Sequence, residues 1–331
     1  MSVVLITPEA FLDKPAPHVD ALCSAGFEVV YPHDPTFMRG FLSEEETIAE
    51  LSVCDAVIAG GERFTERVLD NLPRLRVIAR SGVGYDRVDV RAATARGIVL
   101  TITPTANFAA VAEHTLALLF AVAKDTLGFD RRVRDNSWQR ALTEPIRGST
   151  IGIVGLGRIG REVARGAKAL GMHVVAFETQ PDERFVEQHE IELTDFDTLL
   201  NQSDYVSIHC PLNTQTRGMF NRQVFDKMKP GSVLLNTARG PLVVEADLID
   251  ALQRGQLRAA GLDVLEAEPP RADNPLLNMD NVVLSPHIGG EDRLSSEMMG
   301  LEAALCIVDL RDGKWPEGAV INQELRGKWS W

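Results

Sequence analysis

Three short segments in the C-terminal half of the sequence each carry a side chain suited to holding an anion or moving a proton. Arg239 lies in Asn236-Thr237-Ala238-Arg239-Gly240, Glu268 in Asp263-Val264-Leu265-Glu266-Ala267-Glu268-Pro269-Pro270, and His287 in Ser285-Pro286-His287-Ile288-Gly289-Gly290. A neutral histidine accepts a proton near neutral pH and its imidazolium returns one. Arginine adds a permanent charge and a forked donor that matches a carboxylate and can polarise a neighbouring oxygen. Each segment follows a predicted strand, and the C-terminal strand ends are the edge at which open α/β sheets bind ligands.

A second signal lies upstream. Ile151-Gly152-Ile153-Val154 reads as a strand and runs into Gly155-Leu156-Gly157-Arg158-Ile159-Gly160, a helical run to Leu170, and a second strand ending at Glu178. The order of strand, glycine turn, helix, strand and acid is the dinucleotide fingerprint. Gly155 permits the tight turn, Gly157 lets backbone amides approach a pyrophosphate, Gly160 lets helix and strand pack closely, and the helix N-terminus adds partial positive charge. Glu178, 18 residues beyond Gly160, is placed to accept hydrogen bonds from the adenosine ribose and to repel a 2′-phosphate, so the pattern predicts NAD. Arg184 is the one nearby cation that would serve NADP, in the acidic company of Asp182 and Glu183.

The elements that must position these residues can be traced along the chain. Apolar runs at Val3–Ile6, Phe27–Tyr31, Ala56–Ala59, Arg76–Ala79 and Ile98–Thr101 alternate with helical periodicity, which predicts a doubly wound parallel sheet. Gly26 and Gly97 fall where a left-handed helix end is needed. From about Pro104 to Arg147 the pattern is helical, with Asn107 as a candidate N-cap. A second series of strands starts at Ile151 and continues at His173–Phe177, Tyr205–His209, Val233–Asn236, Ala259–Val264 and Val282–Leu284. The helical stretch Arg293–Leu310 has no strand after it and is expected to return to the first domain. The fold expected is therefore α/β, with two doubly wound parallel-sheet, Rossmann-like domains and the active-site cleft between them. Residues 1–103 plus 292–331 form a discontinuous flavodoxin-like substrate domain, and residues 104–291 the NAD-binding domain.

Composition narrows the classes. At 331 residues, with 45% hydrophobic and 24% charged residues, the chain reads as a globular protein of about two domains. Its 47 acidic against 34 basic residues give a net charge of -13 with no basic cluster, which argues against a nucleic-acid partner. An anionic ligand must then be drawn in by a few focused cations and amides. Cys23, Cys54, Cys210 and Cys306 lie far apart, so they read as reduced, mostly buried thiols with no metal site. No apolar run reaches membrane-spanning length and no signal segment is apparent, so no membrane is expected and the location expected is cytoplasmic.

The ordered set GLGRIG, HCPL, NTARGP, DVLEAEPP and SPHIGG closely resembles the D-isomer-specific 2-hydroxyacid dehydrogenase family over nearly the whole chain, with motifs nearest those of its phosphoglycerate dehydrogenases. The resemblance implies NAD-dependent oxidation of a D-2-hydroxy acid, or reduction of the 2-keto acid. Arg239, Glu268 and His287 are then the catalytic set, Glu268 orienting His287 and stabilising its imidazolium. Pro269 restricts the backbone of Glu268 and helps aim it, whereas Glu266 is the weaker partner. The resemblance places Asp263 by the nicotinamide and His209, Pro211, Thr216, Thr237 and Ala238 along the NAD groove. In the first domain Arg80-Ser81-Gly82-Val83-Gly84-Tyr85-Asp86 resembles the family's substrate loop, with Val83 and Gly84 as amide donors, Arg80 and Asn107 as further substrate contacts. A homodimer through the region Asn107–Asn136 is also implied.

Blander roles exist for each. Taken singly, Arg239 also fits a surface arginine and His287 a core histidine, although the ordered set argues against both. Asn107 fits an ordinary cap equally well, and Arg80 an ion pair with Asp86 or Asp89. His114 and Trp138 read as packing. The substrate implied first is 3-phosphoglycerate, with hydroxypyruvate or glyoxylate as the alternative. A rival class is an NAD-sensing, corepressor-like interaction protein, which the lack of extra flanking segments disfavours. Formate dehydrogenases, which carry glutamine beside the histidine, are disfavoured by Glu268.

Overall fold

The computed structural model describes residues 1–12 and 15–331. The chain divides into two compact units, Met1–Asn107 with Glu291–Trp331, and Phe108–Gly290.

The first unit is built on five parallel strands, β1 (Val3–Ile6), β2 (Glu28–Val30), β3 (Ala56–Ala59), β4 (Val77–Arg80) and β5 (Val99–Thr101), in the order β2-β1-β3-β4-β5. Every residue of β3 and β4 is buried, as expected of parallel strands covered on both faces. Alternate residues feed separate cores. Val4, Ile6, Ile58 and Val77 pack under Ala303, Ile307 and Leu310 of the helix Arg293–Arg311, while Leu5, Val57, Ile78 and Leu100 pack with Leu51, Val68 and Ala93 on the other face. Asp292 caps that last helix by accepting the Ser295 N–H at 2.6 Å. The indole of Trp329 then donates to the Gly97 carbonyl at 2.8 Å, tying the end of the chain to the start of β5. Gly26 and Gly97 both take the left-handed conformation, with φ of 80° and 67°.

The second unit holds seven parallel strands, β6 (Thr150–Val154), β7 (His173–Phe177), β8 (Glu192–Leu193), β9 (Tyr205–Ile208), β10 (Ser232–Asn236), β11 (Leu257–Leu262) and β12 (Val282–Leu284). Their order is β12-β11-β10-β9-β6-β7-β8, so the winding reverses between β6 and β9. One face is covered by Leu118, Leu119 and Val122 of the helix Phe108–Ala123 and by Val163, Ala164 and Ala167 of the helix Arg158–Ala169.

Some expectations are corrected. The strand β8 carries no sequence signal, because its two residues are both exposed and too few to alternate. The helical stretch expected from Pro104 to Arg147 is two helices, Phe108–Ala123 and Thr126–Arg134, followed by irregular chain. They are separated at Asp125, whose φ is 47° and whose carboxylate occupies the space a Cβ on Gly128 would need. Trp138 is 80% exposed, so within this chain it is not a packing residue. Cys54 and Cys306 are buried, Cys210 partly so, and Cys23 is exposed, which is less burial than expected. No helix among the described residues is long and apolar enough to cross a membrane.

Candidate active site

The glycine turn leaves β6 at the point where the second sheet reverses. Gly155 has φ of 97°, and a Cβ there would lie 2.7 Å from the backbone of His209 and Cys210 beyond β9. A Cβ on Gly160 would meet the Gly155 carbonyl at 2.1 Å, so the helix can seat on the turn only without a side chain. Gly157 differs, since nothing stands within 4 Å of where its Cβ would be. It is also the N-cap residue of the twelve-residue helix Arg158–Ala169 and supplies no side-chain cap. Arg158 and Ile159 thus open a helix whose first N–H groups receive no cap from Gly157, beside open space, with Leu156 buried beneath them. This cradle fits a pyrophosphate.

Glu178 follows β7 and faces the same turn. Its Oε2 accepts the Leu156 N–H at 2.8 Å, and its Oε1 accepts those of Thr179 at 2.8 Å and Gln180 at 3.0 Å. Burial pushes this carboxyl upward, but the backbone donors outweigh it and hold the group below the usual glutamate range. The carboxylate is therefore charged at neutral pH.

On the far side of the turn, His209 donates its backbone N–H to the Val154 carbonyl at 2.8 Å and its Nε2 lies 2.8 Å from Ser207 Oγ. Burial pushes its pKa down to about 3, so the ring is neutral. Thr216 donates to the Pro211 carbonyl at 2.6 Å and accepts the Asn213 N–H at 2.9 Å, closing its own exposed turn.

After β10 the buried amide of Asn236 brackets the next three residues, accepting the Ala238 N–H and donating to the Arg239 carbonyl, both at 3.0 Å. Thr237 Oγ1 lies 2.8 Å from Thr115 Oγ1 on the helix Phe108–Ala123. Arg239 Nη1 donates to the Ala238 carbonyl at 2.7 Å. A Cβ on Gly240 would lie 1.8 Å from the Leu265 carbonyl oxygen, so glycine lets the arginine loop and the loop bearing Glu268 touch.

His287 sits with φ of 57°, a left-handed conformation uncommon for a residue with a Cβ. Its Nδ1 is 2.8 Å from Glu268 Oε2, and the other carboxylate oxygen accepts the Leu265 N–H at 3.2 Å. Glu266 instead turns its carboxylate to the backbone N–H of Glu245 at 3.3 Å. The histidine's backbone is held by Asp263, which is 3% exposed. Asp263 Oδ1 accepts from Ser285 Oγ at 2.6 Å and from the Ile288 N–H at 3.0 Å, Oδ2 accepts the Gly289 N–H at 2.8 Å, and the Asp263 carbonyl accepts the His287 N–H at 2.8 Å. His114 Nε2 reaches the same cluster, 2.8 Å from Ser285 Oγ and 3.3 Å from Asp263 Oδ1.

Asp263 thus clamps the loop that aims His287. His114 belongs to this cluster, contrary to its reading as a packing residue. The available signal was the polar pair Glu113-His114 interrupting an apolar helix. Asn236 and Ser285 lay inside segments already singled out.

In the first unit, Arg80 closes β4, is 8% exposed, and donates from Nε to the Gly84 carbonyl at 3.1 Å. Gly82, with φ of 127°, donates its N–H to Thr103 Oγ1 at 2.8 Å, leaving Val83 and Gly84 in an open turn. The amide nitrogen of Asn107 lies beside Gly82, and its buried Oδ1 has no hydrogen-bond partner among the described residues. Asn107 therefore does not cap the helix that follows it through its side chain. Asp89 caps the helix Val90–Ala95 by accepting the Ala92 N–H at 2.9 Å.

With the glycine cradle and the histidine pair on one sheet edge, comparison with known proteins identifies the class. Residues 116–289 match the D-isomer specific 2-hydroxyacid dehydrogenase, NAD binding domain, and the chain belongs to that family. Within it, the chain is 40% identical to the D-3-phosphoglycerate dehydrogenase of Archaeoglobus fulgidus over 82% of its own length and 52% of that protein. It is 36% identical to the glyoxylate reductase of Korarchaeum cryptofilum over 86% of this chain and 87% of that one. A D-lactate dehydrogenase from Aquifex aeolicus, complexed with NAD and lactic acid, superposes with a TM-score of 0.83 at 28% identity, covering 97% of this chain and 99% of that one. The chain spans only about half to three fifths of the length of the phosphoglycerate dehydrogenases it matches.

Proposed function

We propose that this chain interconverts a small D-2-hydroxy acid and its 2-keto acid with NAD as cofactor. The observation that carries this reading is the 2.8 Å contact between His287 Nδ1 and Glu268 Oε2 on the sheet edge that bears the dinucleotide cradle. Gly155, Gly157, Gly160 and Glu178 would hold NAD, which when bound supplies the hydride acceptor. With Nδ1–H donated to Glu268, His287 keeps its Nε2 lone pair for the C2 hydroxyl proton as the C2 hydrogen leaves with its electron pair. Glu268 stabilises the resulting imidazolium, which returns the proton to the oxygen in the reverse direction. Arg239 holds the substrate carboxylate and polarises the C2 oxygen. Val83, Gly84, Arg80 and Asn107 serve the carboxylate and the far end of the substrate.

The phosphoglycerate dehydrogenases among the relatives support 3-phosphoglycerate as the leading substrate candidate, and the glyoxylate reductase matched over most of both chains supports glyoxylate, with hydroxypyruvate beside it as the alternative. Turnover of NADH with phosphohydroxypyruvate, hydroxypyruvate and glyoxylate tests the reading; inactivity with all three overturns it.

Cofactor choice gives a separate expected result. Glu178→Ala removes the ribose acceptor, the repulsion toward a 2′-phosphate and the tie to Leu156 together. NAD affinity should fall by roughly tenfold or more, the usual worth of hydrogen bonds to a charged group, and NADP discrimination should relax. Unchanged selectivity in paired titrations with NAD and NADP would remove Glu178 from the cofactor site.

Self-association is proposed for the region Asn107–Asn136, where Leu127 and Val133 are each 51% exposed. Sedimentation at micromolar concentration should show a dimer, and a monomer there refutes the assignment.

A further inference from the structure

The first sheet also reverses its winding, between β1 and β3, and an acid is buried at that point. Glu62 follows β3 through Gly60 and Gly61 and is 1% exposed. Thr7, the residue after β1, donates its hydroxyl to Glu62 Oε1 at 2.7 Å and accepts the Gly60 N–H at 2.9 Å. The two glycines are what allow the acid to tuck in. A Cβ on Gly60 would stand 2.7 Å from Met38 Cβ and 3.3 Å from Glu62 Oε2, and one on Gly61 would stand 2.4 Å from the Met38 carbonyl oxygen.

Oε2 of Glu62 is buried and has no hydrogen-bond partner among the described residues. A buried carboxylate left half-satisfied is expensive, and such groups mark functional positions. One cation bears on it: Arg80, at the end of neighbouring β4 and paired in register with Ala59 of β3, acts on it electrostatically. Burial pushes the Glu62 carboxyl above the usual glutamate range, against the opposing pull of Arg80 and Thr7. The ligand edge of this sheet therefore carries an arginine with a buried, titratable counter-charge beside it.

We propose that Glu62 is a specificity-determining residue acting through Arg80: ionised, it offsets the arginine charge and disfavours a substrate with a second anionic group, selecting short 2-keto and 2-hydroxy acids bearing one carboxylate. This rests on the reaction proposed above and chooses between its two substrate readings in favour of the unphosphorylated one. Protonated, Glu62 no longer offsets the charge and the discrimination weakens. Glu62 is a positioning residue in this scheme, because it sets the field around Arg80 without touching the reacting atoms.

The test is the ratio of kcat/KM for phosphohydroxypyruvate to that for hydroxypyruvate, measured with NADH in a pH series that starts at about 7.5, above which the phosphate stays dianionic. Any effect of His287 protonation is common to both substrates and cancels in the ratio. In the unaltered protein the ratio should be below one and fall as the pH rises. Glu62→Gln, which keeps the shape and the Thr7 contact, should raise the ratio by about tenfold at the alkaline end and flatten its pH dependence. Thr7→Val removes the donor that favours the ionised form, so the decline should move to higher pH. A Glu62→Gln ratio within about twofold of the unaltered protein's at the alkaline end overturns the assignment. Turnover of keto acids with an unmoved ratio removes only the role of Glu62, whereas no turnover of any keto acid removes the reaction and this role together.

Discussion

His287→Gln is expected to keep NAD binding and to lose roughly 10²- to 10⁴-fold in kcat, the usual contribution of a positioned proton-transfer group. The amide cannot take the C2 hydroxyl proton, while the glycine cradle that would hold the cofactor lies on other strands. Because His287 occupies a left-handed conformation, His287→Asn is the companion variant, asparagine tolerating that backbone better than most residues. Glu268→Gln completes the argument. It keeps a hydrogen bond to Nδ1 but removes the charge that favours the imidazolium, which keto-acid reduction requires. Reduction should therefore slow at neutral pH and recover as the medium is acidified, while oxidation, which needs the neutral ring, should be affected less. Near-normal kcat in both His287 variants, with the pH profile unmoved in Glu268→Gln, would place the proton donor elsewhere.

The second large effect is expected at Asp263, whose two oxygens face donors only: Ser285 Oγ and the Ile288 N–H on one side, the Gly289 N–H on the other. In Asp263→Asn either orientation of the amide sets an NH2 against a backbone N–H. Leaving such a buried donor unsatisfied costs about 1–3 kcal/mol. The loss falls on the loop that aims His287, so kcat should drop along with the thermal midpoint. A variant matching the parent in both would show that the loop holds its shape without the carboxylate.

These two residues also show how far the sequence is legible. The alternation of apolar runs with helical stretches was enough for every parallel strand but the exposed β8, because a buried β-strand and the glycine that ends a helix leave local marks. Segments such as NTARGP and SPHIGG point to the C-terminal edge of a sheet for the same reason. The clamp on His287 joins residues that no local pattern pairs: Ser285 and Asp263 are 22 positions apart, and His114 and Ser285 are 171 apart. Only the folded sheet brings them together, and a histidine on an apolar helix reads as core until its partners are seen. Glu62 is hidden likewise, since its partner Thr7 and the Met38 that crowds Gly60 and Gly61 come from other parts of the chain. The break at Asp125 depends on one carboxylate finding the space left by Gly128.

The helix Arg293–Arg311 has a consequence for the order in which the protein takes shape on the ribosome. Its Ala303, Ile307 and Leu310 form part of one core of the first unit, against strands built from residues some 200 to 300 positions earlier. As the chain emerges, β1 to β5 can pair, but one face of their sheet, covered until then only by earlier residues such as Phe11 and Leu22, stays incomplete until that last helix arrives. The second unit, Phe108–Gly290, has all its strands and covering helices in one uninterrupted stretch and can close in the meantime. The later half of the chain is thus expected to complete its folding first, with the earlier half as the segment most in need of protection during synthesis.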